Sequence, residues 1–165
     1  MTASSLSNDS ICVHRQSKLK LRDQGWILDF KKFYIYLKDK YHVSKSFLFI
    51  GFIPDKAPLY RKLRSYGYKL IFKPTLQLKT KVKGNVDAEL VLHAMIQLPN
   101  YGKAIIVSGD GDFHCLVEYL QTIGKLEELI VPNARKYSAL LRQFMGRIVF
   151  INSSLRKRLE QKGRH

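Results

Sequence analysis

The chain has 165 residues and a hydrophobic content of 45%, which suits one globular domain with a single core. It carries 29 Lys and Arg against 13 Asp and Glu, a formal net charge of +16. No apolar run approaches the ~18 residues of a membrane span, and residues 1–8 lack the apolar region of a secretory signal. The two cysteines, Cys12 and Cys115, show no zinc-binding or disulfide pattern, which favours the cytoplasm.

The basic surplus is concentrated in the first half of the chain. Residues 1–83 contain 18 Lys and Arg against five Asp and Glu, whereas residues 84–165 contain 11 against eight. Such a surplus favours a polyanionic partner, because phosphate backbones dominate nucleic-acid affinity. One alternative is a lysine-rich surface that only aids solubility. An anionic membrane surface is a weaker alternative, since no basic amphipathic anchor stands out, and we predict no membrane partner.

Apolar runs of Val, Ile, Leu and Phe, typical of strands covered on both faces, alternate with segments of helical periodicity. The predicted strands are Ser46–Ile53, Lys69–Lys73, Ala104–Ser108, Leu129–Pro132 and Arg147–Ile151. The predicted helices lie near 29–41, 56–66, 86–97, 113–123, 136–145 and 153–161. This alternation predicts a three-layer α/β/α fold with a mostly parallel sheet. We interpret residues 1–165 as one such Rossmann-like domain, with an atypical polar N-terminus (1–14) and a basic C-terminal helix (153–165).

The segment Thr75–Asn85 (TLQLKTKVKGN) is polar and contains alternating lysines at Lys79, Lys81 and Lys83. We interpret it as a loop that leads into the helix near 86–97. A lysine run is usually a solvated face. Here it directly precedes an acidic candidate site, and this position predicts contact between the three lysines and phosphate.

The sharpest local feature is Ser108-Gly109-Asp110-Gly111-Asp112-Phe113, directly after an apolar strand. Strand carboxyl ends open onto the ligand crevice of a parallel sheet, so Asp110 and Asp112 should emerge there. Two carboxylates this close repel each other unless a cation or proton lies between them, and Mg²⁺ prefers oxygen ligands. The alternative is that Asp112 only caps the helix that begins at Phe113. Ser108 could orient a carboxylate or contact phosphate, although a strand-end serine alone is a weak signal.

A second acidic position is Asp87, within Gly84-Asn85-Val86-Asp87. If Asn85 caps the following helix, Asp87 lies in its first turn, where the helix dipole favours a negative charge. That role alone would explain the residue. Nothing in the sequence by itself brings Asp87 next to Asp110.

The runs KGNVDAELVLHAMI (83–96) and KAIIVSGDGDFHCLVEYL (103–120) together resemble NYN domains related to the bacterial LabA-like proteins. The similarity extends from about residue 25 to residue 152. In that family a "VD" aspartate and an SGDxDF motif contribute to an acidic metal site on a PIN-like nuclease fold. The resemblance therefore implies that Asp87, Asp110 and Asp112 are catalytic metal ligands and that Ser108 belongs to the same site. It also implies RNA, rather than DNA, as the substrate.

One departure from the family pattern concerns the start of the domain. The family begins with an apolar strand that ends in an aspartate, followed three residues later by an asparagine. Asp9 stands where this aspartate aligns, but Cys12 replaces the asparagine, and residues 2–8 are too polar for a buried strand. Either Asp9 completes the metal site from an unusual first strand, or that strand is lost and a sheet edge is exposed.

We therefore predict a metal-dependent ribonuclease whose aspartates hold one or two Mg²⁺ or Mn²⁺ ions at the scissile phosphate of single-stranded RNA. The alternative is a non-catalytic RNA-binding NYN domain with a degraded acidic site. A phosphatase or nucleotide-binding domain is disfavoured, because neither a P-loop nor a DxDxT-like motif is present. The sequence leaves the oligomeric state open, with a homodimer among the alternatives.

Overall fold

A parallel sheet forms the centre of the molecule in a computed structural model that describes residues 9–15, 25–51, 54–73, 76–78, 81–83 and 87–161. The strands in chain order are β1 (Ser10–Arg15), β2 (Val43–Gly51), β3 (Lys69–Lys73), β4 (Leu76–Leu78), β5 (Lys81–Lys83), β6 (Lys103–Val107), β7 (Leu126–Val131) and β8 (Ile148–Phe150). Six of them form the sheet, in the order β3-β2-β1-β6-β7-β8, and every neighbouring pair is parallel. The predicted α/β fold class is confirmed.

Four of the described helices lie between strands and a fifth follows β8, and together they cover both faces of the sheet. They are α1 (Phe30–Tyr41), α2 (Ala57–Tyr66), α3 (Asp87–Ile96), α4 (His114–Thr122) and α5 (Ser153–Leu159). The helix predicted near 136–145 is instead a 3₁₀ segment, Ala139–Arg147, which is interrupted at Phe144 (φ −101°, ψ 20°). Within the described residues, no helix has the length and apolar character needed to cross a membrane.

Alternate residues of β1 belong to two different cores, one on each face of the sheet. Ile11 and Val13 lie in the core that contains residues of α3 and α4, including Leu90. Cys12 lies in the core that contains Phe33 of α1 and residues near the end of α5. This division follows from the two-residue period of a strand. The sheet is therefore the middle of three layers.

Local sequence signals fix the ends of the helices on the second face. The Asp29 carboxylate accepts hydrogen bonds from the backbone N–H groups of Lys31 (3.0 Å) and Lys32 (3.1 Å) and so caps α1. Helix α2 ends at Gly67, whose φ of 115° is readily adopted only by glycine. A methyl group at Gly67 would lie 2.6 Å from the Tyr34 ring, so the close approach of α1 also requires glycine there.

The first strand is present, and it lies in the middle of the sheet between β2 and β6. Of the two alternatives for this region, the loss of the first strand is therefore wrong. Its apolar part is only Ile11-Cys12-Val13, which is too short to stand out among polar neighbours. Ser10 and His14 are buried as well, with exposed fractions of 5% and 4%. Burial on both faces, rather than composition, makes this segment a central strand.

Within the predicted loop Thr75–Asn85, the described residues 76–78 and 81–83 form strands. β4 and β5 pair antiparallel, with Leu76 opposite Lys83 and Leu78 opposite Lys81. Their Leu-Gln-Leu and Lys-Val-Lys alternation has the period of a strand, but each run has only three residues. Lys81 and Lys83 are thus on β5, whereas Lys79 lies outside the described residues.

We predict that Phe33→Ala lowers the free energy of unfolding by about 3–5 kcal/mol, because it removes a large side chain from a close-packed core. Phe33 is fully buried, between the His14 and Tyr36 rings. The matched control is Ile35→Ala on the same helix, where the side chain is 47% exposed. Urea unfolding monitored by circular dichroism measures both, and equal losses would contradict the assigned burial.

Candidate metal centre

The strand order places a crevice at the carboxyl ends of β1 and β6. From β1 the chain proceeds outward in one direction through β2 and β3, and from β6 outward in the other through β7 and β8. In an open α/β sheet, ligands usually bind in the crevice beyond the carboxyl ends of two adjacent strands whose connections run in opposite directions. His14 pairs with Val107, so the next residues, Arg15 and Ser108, lie side by side at this edge.

Three carboxylates converge here from two separate segments of the chain. Asp87 begins α3, and Asp110 and Asp112 lie on the loop after β6. Each residue offers one oxygen atom such that all three atoms lie within 4.8 Å of one another. Asp87 and Asp110 are partly buried, whereas Asp112 is exposed. A set of three carboxylate oxygens this close fits the oxygen preference of Mg²⁺ or Mn²⁺.

Hydrogen bonds to the backbone hold the Asp110–Asp112 loop. The Ser108 hydroxyl accepts a hydrogen bond from the Asp110 N–H (3.0 Å), and the Asp110 carboxylate accepts one from the Asp112 N–H (2.9 Å). Asp110, not Asp112, is therefore the capping residue of the 3₁₀ segment Gly111–Phe113. The alternative interpretation, that Asp112 only caps the helix beginning at Phe113, is wrong. Ser108 is buried at the end of β6, and its hydrogen bond orients the loop from the side of the sheet.

A second loop, after β7, packs against the acidic loop and forms a groove with it. The Ser138 N–H donates to the Gly109 carbonyl (3.0 Å). The groove has a volume of about 510 Å³ and is lined by both loops, namely by Gly109, Asp110, Gly111, Asp112, Lys136, Tyr137, Ser138 and Leu140. Buried Asn133 accepts from the Arg135 N–H (2.9 Å) and so shapes this second loop. The sequence reasoning did not include Lys136, although its position soon after a strand's carboxyl end is a usable signal.

The sequence reasoning also missed Arg15, which forms an ion pair with Asp87. Burial raises the pKa of the Asp87 carboxyl group, and the Arg15 guanidinium opposes this rise. Asp110 and, more weakly, Asp112 add to the rise, because their negative charges also disfavour the ionised form of Asp87. The pair thus stabilises a carboxylate that its surroundings would otherwise tend to protonate. No sequence signal identified Arg15, since β1 itself was not predicted.

The neighbouring residue His14 faces the opposite side of the sheet. Its ring stacks on Phe30 at a centroid distance of 5.9 Å and meets the edge of Phe33 at 5.6 Å. Burial lowers the pKa of His14 to about 3, so this imidazole is neutral at physiological pH. Arg15 is consequently the charged residue that β1 contributes at this end.

The structure does not bring Asp9 to the three aspartates, which corrects its assignment as a metal ligand. Asp9 precedes β1, and its carbonyl accepts a hydrogen bond from the Gly102 N–H just before β6. β1 has six residues at about 3.3 Å each, so Asp9 lies roughly 20 Å from Arg15, at the opposite edge of the sheet. Asp9 was matched to the aspartate that ends the first strand of the family, but in this chain the first strand begins after Asp9.

Comparison with known proteins agrees with this architecture. The family model of the NYN domain matches residues 12–151. The chain belongs to the NYN domain family. The NYN domain is a nuclease-like fold related to PIN domains, as the sequence motifs implied. The resemblance on SGDGDF is thereby confirmed at the level of the family.

One solved structure shares the fold of this NYN domain over its full length. It is a protein of unknown function, VPA0982, from Vibrio parahaemolyticus, with a TM-score of 0.73 and 22% sequence identity. The alignment covers 98% of this chain and 100% of that one. A comparison with curated proteins gave no match. The similarity to the Vibrio protein shows the fold.

We predict that Gly111→Ala destabilises the protein by about 1–3 kcal/mol, because a methyl group there would overlap the Ser138 side chain and push the two loops of the groove apart. Gly146→Ala is the matched control, since a methyl group at Gly146 would meet no atom within 4 Å. Its effect should stay within about 0.5 kcal/mol. If both variants unfold at the wild-type urea concentration, the described packing of the two loops is wrong.

Proposed function

We propose that this NYN domain is a metal-dependent ribonuclease that hydrolyses RNA phosphodiester bonds at Asp87, Asp110 and Asp112. The observation that carries the proposal is the convergence of their three carboxylate oxygens within 4.8 Å. Like charges at this spacing are unfavourable unless a cation or a proton compensates them. Their place at the carboxyl edge of β6, the usual ligand position, supports a role in chemistry rather than in folding.

The carboxylates suit Mg²⁺ or Mn²⁺, which when bound would activate a water molecule and neutralise charge developing on the phosphate. Asp110 and Asp112 are held by the backbone bonds of their own loop, so little reorganisation would be needed on binding. Asp87 is fixed by the first turn of α3 and by Arg15. The proposed reaction requires no protein nucleophile, because water is the attacking group in this reaction class.

The basic surplus supports RNA as the partner. The chain carries a formal charge of +16, although its candidate active site is acidic. The strand β5 with Lys81 and Lys83 precedes α3, and Lys136 lines the groove beside Asp112. We infer that these cations, with Lys79, guide a single strand of RNA toward the carboxylates. The free thiols of Cys12 and Cys115 suit a cytoplasmic location, and SGDGDF suits the LabA-like branch of the family.

A second candidate is an RNA-binding domain without cleavage, and the ion pair between Arg15 and Asp87 favours it. An arginine that already neutralises one carboxylate lowers the demand of the cluster for a metal ion. Under this alternative the basic surface binds RNA, and the acidic groove is a degraded catalytic site that no longer cleaves it. The two candidates differ in one measurable property, which is RNA cleavage by the purified protein.

We predict that Asp110→Asn nearly abolishes Mn²⁺-dependent cleavage of labelled RNA while leaving RNA binding unchanged or slightly stronger. The substitution preserves shape but removes a charged oxygen ligand and a local repulsion of phosphate. Single-turnover cleavage with an EDTA control measures the first effect, and filter binding measures the second. Asp39→Asn, at an exposed position of α1 outside the groove, is the control that should retain wild-type activity.

If wild-type protein binds RNA but cleaves no faster than Asp110→Asn, the ribonuclease proposal fails and the binding domain replaces it. Cleavage that persists at full rate in EDTA would instead exclude the metal-dependent mechanism.

We also predict that binding to single-stranded RNA weakens as salt rises, with a slope of about −0.7 in the log–log plot for each neutralised phosphate. Replacing Lys79, Lys81 and Lys83 together by alanine should make this slope shallower by about two units, because up to three contacts are lost. The control replaces Lys38, Lys45 and Lys69, exposed residues near the amino ends of the strands. Equal slopes for the two triple variants would contradict a specific role for β5.

A further inference from the structure

Arg15 occupies the end of β1 on the face that carries the acidic cluster. It follows Ile11 and Val13 at two-residue intervals, and both of these residues lie in the core that includes α3 and α4. Its guanidinium contacts the Asp87 carboxylate, with side-chain exposed fractions of 27% and 14% for the two residues. The pair is thus partly shielded from water, at a position fixed by the central strand.

This position puts a positive charge among the three acids. Three carboxylates with one guanidinium carry a charge of about −2. Lys136, which lines the groove beside Asp112, adds another positive charge. One divalent cation is therefore enough to balance this set of charges, whereas a second would leave the site with a surplus of positive charge.

We propose that Arg15 is a fixed cation of the catalytic site that takes the place of a second metal ion, so that the site binds a single Mg²⁺ or Mn²⁺. The proposal deepens the ribonuclease function proposed above and rests on it for the role of the metal. An arginine side chain is always protonated, and its planar group matches carboxylate and phosphate oxygens alike. Arg15 therefore keeps its positive charge whether or not metal or RNA is bound.

The ion pair also has a positioning role. The guanidinium contacts the carboxylate of Asp87, which also offers an oxygen within 4.8 Å of oxygens of Asp110 and Asp112, so it offsets part of the repulsion among the three carboxylates. A second divalent ion near Asp87 would be repelled by the guanidinium. The remaining charge lies mainly on Asp110 and Asp112, on the loop that borders the groove.

The test is a titration of the RNA-free protein with Mn²⁺, followed by isothermal calorimetry and by the loss of the free Mn²⁺ signal in electron paramagnetic resonance. We expect one ion per wild-type chain. In Arg15→Ala we expect either a second bound ion or about tenfold tighter binding of the first ion. The reason is that the variant removes the repulsion between the guanidinium and the metal ion, and charges a few ångströms apart repel each other by an energy that corresponds to about this change in affinity even in water. Arg15→Lys retains the charge and should bind one ion, as should Arg61→Ala, which removes an exposed arginine of α2.

Two ions on the wild-type chain would overturn the proposal. So would an Arg15→Ala titration that matches wild type in both stoichiometry and affinity, or the absence of Mn²⁺ binding in every variant. Circular dichroism checks that Arg15→Ala is folded, and Arg15→Gln replaces it in the same titration if it is not. RNA cleavage is measured separately. If the wild type binds one ion and Arg15→Ala alters Mn²⁺ binding as expected, but the wild type cleaves no RNA, the ribonuclease proposal is refuted. The charge role of Arg15 would then still hold.

Discussion

The pairing of β1 with both β2 and β6 is the interaction on which the rest of the structure depends. This strand of six residues joins the β2–β3 half of the sheet to the β6–β8 half. Its buried residues belong to the cores on both faces, so each helical layer is anchored through it. Its last residue, Arg15, then reaches the acidic cluster. One short segment therefore determines both the continuity of the fold and the charge of the candidate site.

The acidic cluster illustrates how a fold holds like charges together. Asp110 is fixed because its carboxylate caps its own loop, and Asp87 is fixed because it begins a helix that packs on the sheet. Local structure thus sets the backbone positions of both residues. The backbone thus maintains an arrangement that electrostatics alone would disperse, and Arg15 offsets part of the cost. Preorganisation of this kind is what a site needs if it is to act on a polyanion.

The sequence predicted the long apolar strands, most of the helices between them and the acidic loop, because these have strong periodicity or a distinctive motif. It could not predict β1, since Ile11-Cys12-Val13 becomes a strand only through burial on both faces. The assignment of Asp9 failed for the same reason, because the end of a strand cannot be located before the strand itself. Arg15 was missed as a consequence. The proximity of Asp87 and Asp110 came from family resemblance alone, since no local pattern encodes a contact between α3 and the loop after β6.

The central position of β1 has a consequence for how the chain leaves the ribosome. Ser10 pairs with Val43 on one side and with Lys103 on the other, so one partner is synthesised long before the second. Until β6 emerges, the inner edge of β1 has its backbone hydrogen-bonding groups unpaired next to apolar side chains, and such edges promote association between nascent chains. Because the chain is synthesised from its amino end, β1 is open to wrong pairing until β6 emerges, although it is a central strand of the finished sheet. Chaperone capture of ribosome-bound chains should accordingly be greatest for lengths between the β3 and β6 boundaries.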